Sequence, residues 1–444
     1  MQKKKVYAVS TAHLDTVWRW DLRKTIEEYL PDTLRKNFDL IERYPDYCFN
    51  FEGAFRYQLI EEYYPLAFAE IQNLVKRGNW YPGGACYENG DVNIPSPEAL
   101  FRNIPLGNRY FQEKFGVQSK DIFLPDCFGF GQALPSVMKY AGLLGFTTQK
   151  LSWGSAYGVP FTLGYWQGVD GSRVLACPNA RSYRSKFSGD LRGEVSVIDD
   201  VAKNAFEGGL PYAQHLYGTG DVGGAPTEES VQSVCASAAE NGQKDFDVIS
   251  AQSDQIFKDI DALPDSDKDR LPVWNNELLM TSHGAGGYTA RAMGKRLNRQ
   301  CEVLADVAES TLSTAELLGV YTYPQETVTK AWERLIQHQF HDDLPGTSNM
   351  DIYNTGWNDY HTSLVQLQGE YTGAVGAIAN QLDTQWVTDC ALIVHNPLPF
   401  ARTESVEAHV RLNHNGKYLR VLDRDGNELP SQVIHKEGKA FHMA

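Results

Sequence analysis

Positive charge is scarce in this 444-residue chain: 41 Lys and Arg stand against 56 Asp and Glu, a net charge of −15, and no basic run occurs. That excludes nucleic acid as an expected partner. No stretch is apolar for long enough to span a bilayer, so a membrane is not expected as a partner either. Cysteine is sparse too. The seven Cys are odd in number, scattered and without Cys-x-x-Cys spacing. This argues against a disulfide framework or a thiolate zinc site and for reduced, mostly buried thiols. The N-terminus, Met1-Gln2-Lys3-Lys4-Lys5, lacks the apolar region of a secretion signal. A cytoplasmic location is therefore expected, or a periplasmic or secreted one if a signal has been removed.

What is present is an ordinary globular composition, 42% apolar and 22% charged. The length suits two or three domains. Nine Trp and 23 Tyr suit flat-ring ligands such as sugars, and equally large cores. Up to about residue 290, short apolar runs alternate with helical patterns. Strands are expected at Val6–Val9, Asp121–Leu124, Gly145–Gln149 and Arg173–Ala176, and helices at Pro31–Glu42, Ala54–Arg77, Pro97–Phe115 and Ala133–Ala141. Such alternation predicts an α/β domain, residues 1–288, on a mainly parallel sheet of seven or eight strands. Met293, Leu297, Cys301, Leu304, Ala308, Leu312 and Ala315 then step by three or four along one helix face. With helices at Thr327–Phe340 and Met350–Leu382, they predict a three-helix bundle over residues 289–386. Ala391–Pro397 and Ser405–Leu412 read as strands, the beginning of a truncated β-sandwich domain over residues 387–444.

Several polar residues stand where chemistry is expected, at strand ends and in the loops beyond them. His13 and Asp15 are two apart at the end of the first strand, so they project to the same side. Asp126 follows another apolar strand and precedes glycines, in Phe123-Leu124-Pro125-Asp126-Cys127-Phe128-Gly129. A carboxylate there suits a metal ligand, a nucleophile or both. His338 and His341 are three apart at a helix end, and either could complete the set. His338 fits the helix dipole better. Two His and two Asp form a nitrogen/oxygen donor set suited to Zn²⁺, with room for a substrate. The glycine-rich Gly218–Thr227 lacks the Lys-Ser/Thr of a phosphate loop and the spacing of a dinucleotide fingerprint. It reads better as a mobile loop presenting Asp221 for acid/base work. Of the pair Glu277 and His283, a structural role suits Glu277 and substrate contact suits His283.

Taken in order, these stretches resemble glycoside hydrolase family 38, the retaining α-mannosidases. The matching pieces are Ala12–Trp18, Gly83-Gly84 through Asp91–Ser96, Leu124–Phe130, Gln149–Trp153, Gly218–Thr227, Lys295–Arg299, Phe340–Thr347 and Asn396-Pro397-Leu398. The resemblance implies a barrel-like catalytic domain, a three-helix bundle and C-terminal β domains, the last missing here as partners because family members are usually longer. It implies one Zn²⁺, or another divalent metal, held by His13, Asp15, Asp126 and His341. Asp126 would also be the nucleophile and Asp221 the acid/base. Trp18 would stack on the sugar and Asp342 would bond its hydroxyls. The implied substrate is a mannoside or mannose-rich oligosaccharide, and a homo-oligomer is left open. Two other classes fit the residues: a metal-dependent deacetylase or amidohydrolase, and a non-catalytic carbohydrate-binding fragment.

Overall fold

Val6–Ala12 is a continuous buried run, the pattern of a strand covered on both faces. In the computed structural model, which describes residues 2–413 and 418–444, it lies in strand β1 (Lys4–Ala12). The strands that follow are β2 (Phe49–Glu52), β3 (Trp80–Gly83), β4 (Asp121–Phe123), β5 (Gly129–Phe130) and β6 (Gly145–Thr147). Next come β7 (Gly164–Gln167), β8 (Arg173–Cys177), β9 (Tyr212–Thr219), β10 (Phe246–Ser250), β11 (Val273–Trp274) and β12 (Leu278–Leu279). Helices separate most of them, as the alternating pattern predicts.

Ten of these strands form two five-stranded sheets, and β12 pairs with β5 in a separate antiparallel pair. In the first, β1 pairs in parallel with β9 over Lys5–Ala12, with β10 over Lys4–Ala8 and with β2 at Ser10–Thr11, and β2 continues to β3. The second runs β11-β7-β8-β6-β4 and is parallel except between β7 and β8. One core is built on Phe130, Phe146 and Trp166, and another on Tyr7, Phe123 and Phe257. Because the strands run alike, the segments beyond β1, β4 and β9 leave the sheets at their carboxyl ends.

Element boundaries follow local chemistry. Ser96 caps the Pro97–Phe115 helix by accepting from the Ala99 N–H at 3.2 Å, and Gly116 ends it in the left-handed region. The stretch Ala54–Arg77, expected as one helix, is two, Ala54–Tyr63 and Pro65–Arg77. Pro65 forces Tyr64 out of helical geometry, which divides them. Among the described residues, no helix is long and apolar enough to cross a membrane. All seven cysteines are unpaired.

The chain divides into two compact units. One contains the residues up to Glu302 together with Trp332–Ser363, and the other contains Val303–Ala331 and Leu364–Ala444. Three long helices, Ala292–Leu317, Gln325–Gln337 and Met350–Ala379, follow the α/β region. In the first unit, Gln339 Nε2 donates to Asn298 at 2.9 Å and to Glu302 at 3.1 Å. In the second, Ala308, Leu312, Val328 and Leu367 are buried. Its last part carries a three-stranded antiparallel sheet, β13 (Ala408–Arg411), β17 (Ala440–Met443) and β16 (Val433–Glu437), and the hairpin β14 (Val421–Leu422) with β15 (Glu428–Leu429). Ala391–Pro397 is not a strand: Leu392, Ile393 and Val394 are exposed, and the run has no pairing partner among the described residues.

Candidate metal centre and active site

β1 ends at Ala12, and the chain beyond it is stitched to the chain beyond β9. His13 N–H donates to Thr219 C=O at 3.1 Å, Asp15 N–H to Asp221 C=O at 2.8 Å, and Gly223 N–H to His13 C=O at 3.1 Å. Buried Arg56 holds the other side, donating to Leu14 C=O at 2.7 and 3.0 Å and pairing with Glu88 at 3.1 Å. Glu88 in turn accepts from Thr16 Oγ1 at 2.8 Å. The Gly218–Thr227 stretch, expected to be a mobile loop, is thus pinned to the His13–Asp15 segment. Two glycines permit that closeness. A Cβ at Gly218 would meet Thr11 C=O, and one at Gly220 would meet the Tyr183 ring.

His13, Asp15, Asp126 and His341 converge there, each buried, with one ligand atom apiece all within 4.8 Å of one another. All four belong to the first compact unit. His13 Nδ1 lies 2.8 Å from Glu52 and His341 Nδ1 lies 3.0 Å from Asn89 C=O. Both acceptors take the Nδ1 proton, which turns each Nε2 towards the cluster, where it offers a lone pair to a cation or holds a proton against the carboxylates. His341 Nε2 is buried and lacks a well-directed hydrogen bond, although Asp15 Oδ1 is 3.3 Å away and Asp126 Oδ2 3.8 Å. Inward-facing imidazoles fixed from behind, an orphaned buried nitrogen and two carboxylates are what a cation needs. The residues fit a divalent metal.

Electrostatics agrees. Burial would lower the His13 pKa, but its hydrogen bonds to Asp15 and Glu52 prevail and raise it to about 10. Burial would raise the Asp15 carboxyl, yet the hydrogen bond from His13 and the nearby His341 ring hold it below the usual range. Asp342 is pushed up to about 7 by burial, against the pull of His341 and with the repulsion of Asp15 and Asp126. Carboxylates brought this close favour a positive partner between them, a proton or a bound cation.

Asp126 faces two ways. Its Oδ2 points towards His341, while Oδ1 takes an ion pair from buried Lys150 and lies 3.2 Å from the Tyr183 hydroxyl. The same hydroxyl lies 3.0 Å from Asp221 Oδ1. Burial, followed by the Asp126 and Asp221 charges, pushes the Tyr183 pKa well up, so it stays a neutral donor. Two carboxylate oxygens sharing one hydroxyl this way are no more than about 6 Å apart, close enough for both carboxyls to reach one glycosidic bond. Asp221 has φ 70, a left-handed conformation that Asp adopts more readily than most residues, and its Oδ2 pairs with Arg184.

The remaining expected residues are distributed around this centre. Asp342 accepts from Thr347 Oγ1 at 2.5 Å, and its Oδ2 is 3.5 Å from His341 Nε2. Trp18 is half-buried beside Trp20, with Arg19 over its ring at 4.1 Å. His283 is exposed, its ring 4.9 Å from Trp153 and 5.9 Å from Phe128. Burial and then the Lys150 charge lower its pKa, against the pull of Asp126. Glu277 sits beside β12, its C=O accepting from Trp274 Nε1 at 3.1 Å. His338 is held between Asp343 at 2.8 Å and Asp359 at 3.0 Å. Lys150, Tyr183, Arg184 and Glu52 have no site role assigned by sequence reasoning. Lys150 lies in a motif that matched the family; the others follow no spacing rule.

The fold is similar to that of an alpha-mannosidase from Enterococcus faecalis V583. The two superpose with a TM-score of 0.78 at 19% identity, over 99% of this chain and 53% of that one. Residues 3–277 match the model of the glycosyl hydrolases family 38 N-terminal domain, and residues 283–378 that of the alpha mannosidase middle domain. The chain belongs to glycosyl hydrolase family 38. It is 31% identical to human alpha-mannosidase 2C1 over 402 residues, 90% of this chain, and 29% identical to an alpha-mannosidase of Saccharomyces cerevisiae over 420 residues, 92% of this chain. It spans 37% of the length of each of these curated relatives.

Proposed function

We propose that the protein is a retaining α-mannosidase, cleaving α-linked mannose from mannosides or mannose-rich glycans. Asp126 is the nucleophile and Asp221 the acid/base. The observation that carries this reading is the Tyr183 hydroxyl shared between the two carboxylates, in a chain of this family. One hydroxyl has one proton, so it satisfies both carboxyls fully only when one of them is itself protonated. Asp126, already paired with Lys150, suits the ionised role. Asp221, paired with Arg184 in this structure, must take up a proton before the first step, and gives that proton to the glycosidic oxygen as Asp126 Oδ1 attacks the anomeric carbon. Asp221 then takes a proton from the water that releases the sugar from Asp126.

His13, Asp15, Asp126 and His341 would hold a Zn²⁺. A bound divalent ion supplies positive charge that orients vicinal sugar hydroxyls and favours ring distortion. Asp342, beside His341, accepts hydrogen bonds from the sugar. Trp18 and His283 offer further contacts at the ring and beyond it. The unpaired cysteines favour a reducing compartment, the cytoplasm. The domain limits proposed are 1–288, 289–386 and 387–444.

The full-length protein should hydrolyse an aryl α-mannoside with retention of configuration. The rate should disappear in Asp126→Ala and on chelation. An undiminished rate in Asp126→Ala would refute the assignment.

A further inference from the structure

Tyr183 stands in residues 178–190, a stretch with neither helix nor strand between β8 and the helix Val195–Gly208. Its hydroxyl lies 3.2 Å from Asp126 and 3.0 Å from Asp221. A shift of about half an ångström would take it out of hydrogen-bond reach of one of them. The stretch is pinned on both sides of the ring. Leu216 N–H of β9 donates to Ala180 C=O at 2.7 Å, and Gly218 N–H to Ser185 C=O at 3.2 Å. Between these pins Arg181 has φ 62, a left-handed conformation that long side chains rarely adopt. Its side chain shows what offsets that strain. Nε and Nη2 donate to the two carboxylate oxygens of Asp200 at 2.7 and 2.6 Å, a bidentate fork. Asp200, on the helix Val195–Gly208, is fixed in turn by buried His215 of β9, whose Nε2 lies 2.9 Å from Oδ2. The same strand leads on to Asp221.

We propose that Arg181 is a positioning residue for the reaction. Through its fork on Asp200 it fixes the backbone two residues before Tyr183, so that the hydroxyl spans Asp126 and Asp221. The inference rests on the mannosidase reading above and on the part played there by Tyr183. Backbone strain persists only where the surroundings over-determine it, and it gathers where geometry serves function. Arg181 is not a core residue: its side chain is 36% exposed. Nor does it join the helix to β9, since Asp200 and His215 make that contact without it. What the fork adds is a link from this pair to the irregular stretch that carries Tyr183. Lysine could not replace it fully, because an ammonium lacks the planar fork that meets both oxygens at once.

The test is a double-mutant cycle on the full-length protein with an aryl α-mannoside. Arg181→Gly removes the fork and keeps the left-handed backbone, which glycine adopts freely. Its kcat should fall roughly tenfold, within the range for losing a hydrogen bond to a charged group. KM should stay within about twofold of wild type, because the lost contact serves the reaction and not binding. In Tyr183→Phe, which already lacks the hydroxyl, adding Arg181→Gly should lower kcat by less than about twofold. A wild-type kcat in Arg181→Gly, a loss carried by KM alone, or an equal loss with and without the Tyr183 hydroxyl would each overturn the inference and leave the mannosidase reading standing. If Arg181→Gly does not fold, Asp200→Asn, which keeps the shape of the side chain, enters the same cycle with the same outcomes. Failure of both to fold would make the role purely structural and overturn the inference. Absence of turnover by wild type would overturn the mannosidase reading and this inference with it.

Discussion

Tyr183 joins Asp126 to Asp221 through a single oxygen, so the three side chains work as one unit. Tyr183→Phe removes that oxygen with little change in packing. It should lower kcat by about 10- to 100-fold, the value of a hydrogen bond to a charged group. Substrate affinity should change far less, and steady-state kinetics separates the two. A variant with wild-type kcat would show that the shared hydroxyl is incidental. Glu52 acts through His13, whose Nδ1 it holds at 2.8 Å. Glu52→Gln should weaken metal binding about 10- to 100-fold, read as zinc lost to a competing chelator, with the backbone undisturbed. The two residue types differ in how legible they were. His13 and Asp15 are separated by two, and a strand end gives that spacing a direction. Tyr183 and Lys150 approach Asp126 through tertiary packing, and Glu52 reaches His13 across adjacent strands. Lys150 lies in a family motif that gives it no role, and nothing in the local sequence of Tyr183 or Glu52 marks them.

The turn from His341 to Thr347 depends on interactions at the level of elements. Half-buried Lys295 donates to the carbonyls of Gly287 at 3.1 Å, Leu344 at 3.0 Å and Pro345 at 3.1 Å. His338, at the end of the helical stretch, bonds Asp343 within the turn and Asp359 on the Met350–Ala379 helix. Burial opposes charge on His338, but its hydrogen bonds to these two carboxylates prevail and raise its pKa to about 9. A raised histidine stabilises the fold fully below its unfolded pKa of about 6.5 and ceases to as pH climbs through the folded value. Wild type should therefore lose stability between pH 6.5 and about 9, and His338→Gln should lose less over the same window. Denaturant midpoints for both proteins across that range test this, and parallel curves would count against it. The element pattern explains which parts could be read beforehand. Pro97–Phe115 is capped by Ser96 and Gly116, and its limits follow from those residues. Ala391–Pro397 has a strand's composition without a partner strand, and pairing, not composition, decides the outcome.

The four candidate ligands lie at positions 13, 15, 126 and 341, yet within one compact unit. A metal bound to them closes long loops of chain and binds only the folded state. Adding Zn²⁺ to chelated protein should raise the thermal midpoint, and Asp15→Ala should abolish the rise. An equal rise in that variant would place the metal elsewhere. The alternation of strands and helices made the α/β class legible because periodicity reports burial residue by residue. The division into two sheets and the tie between β1 and the segment after β9 were not legible, because long-range pairing leaves no local trace. As the proposed nucleophile, Asp126 carries the sugar in the covalent intermediate. A fluorinated α-mannoside that stalls the covalent intermediate, followed by digestion and mass spectrometry, tests it most directly. The label should sit on the peptide containing Asp126, with its site at that carboxylate. Labelling of another residue, or continued turnover through a metal-bound water with no label at all, would contradict it.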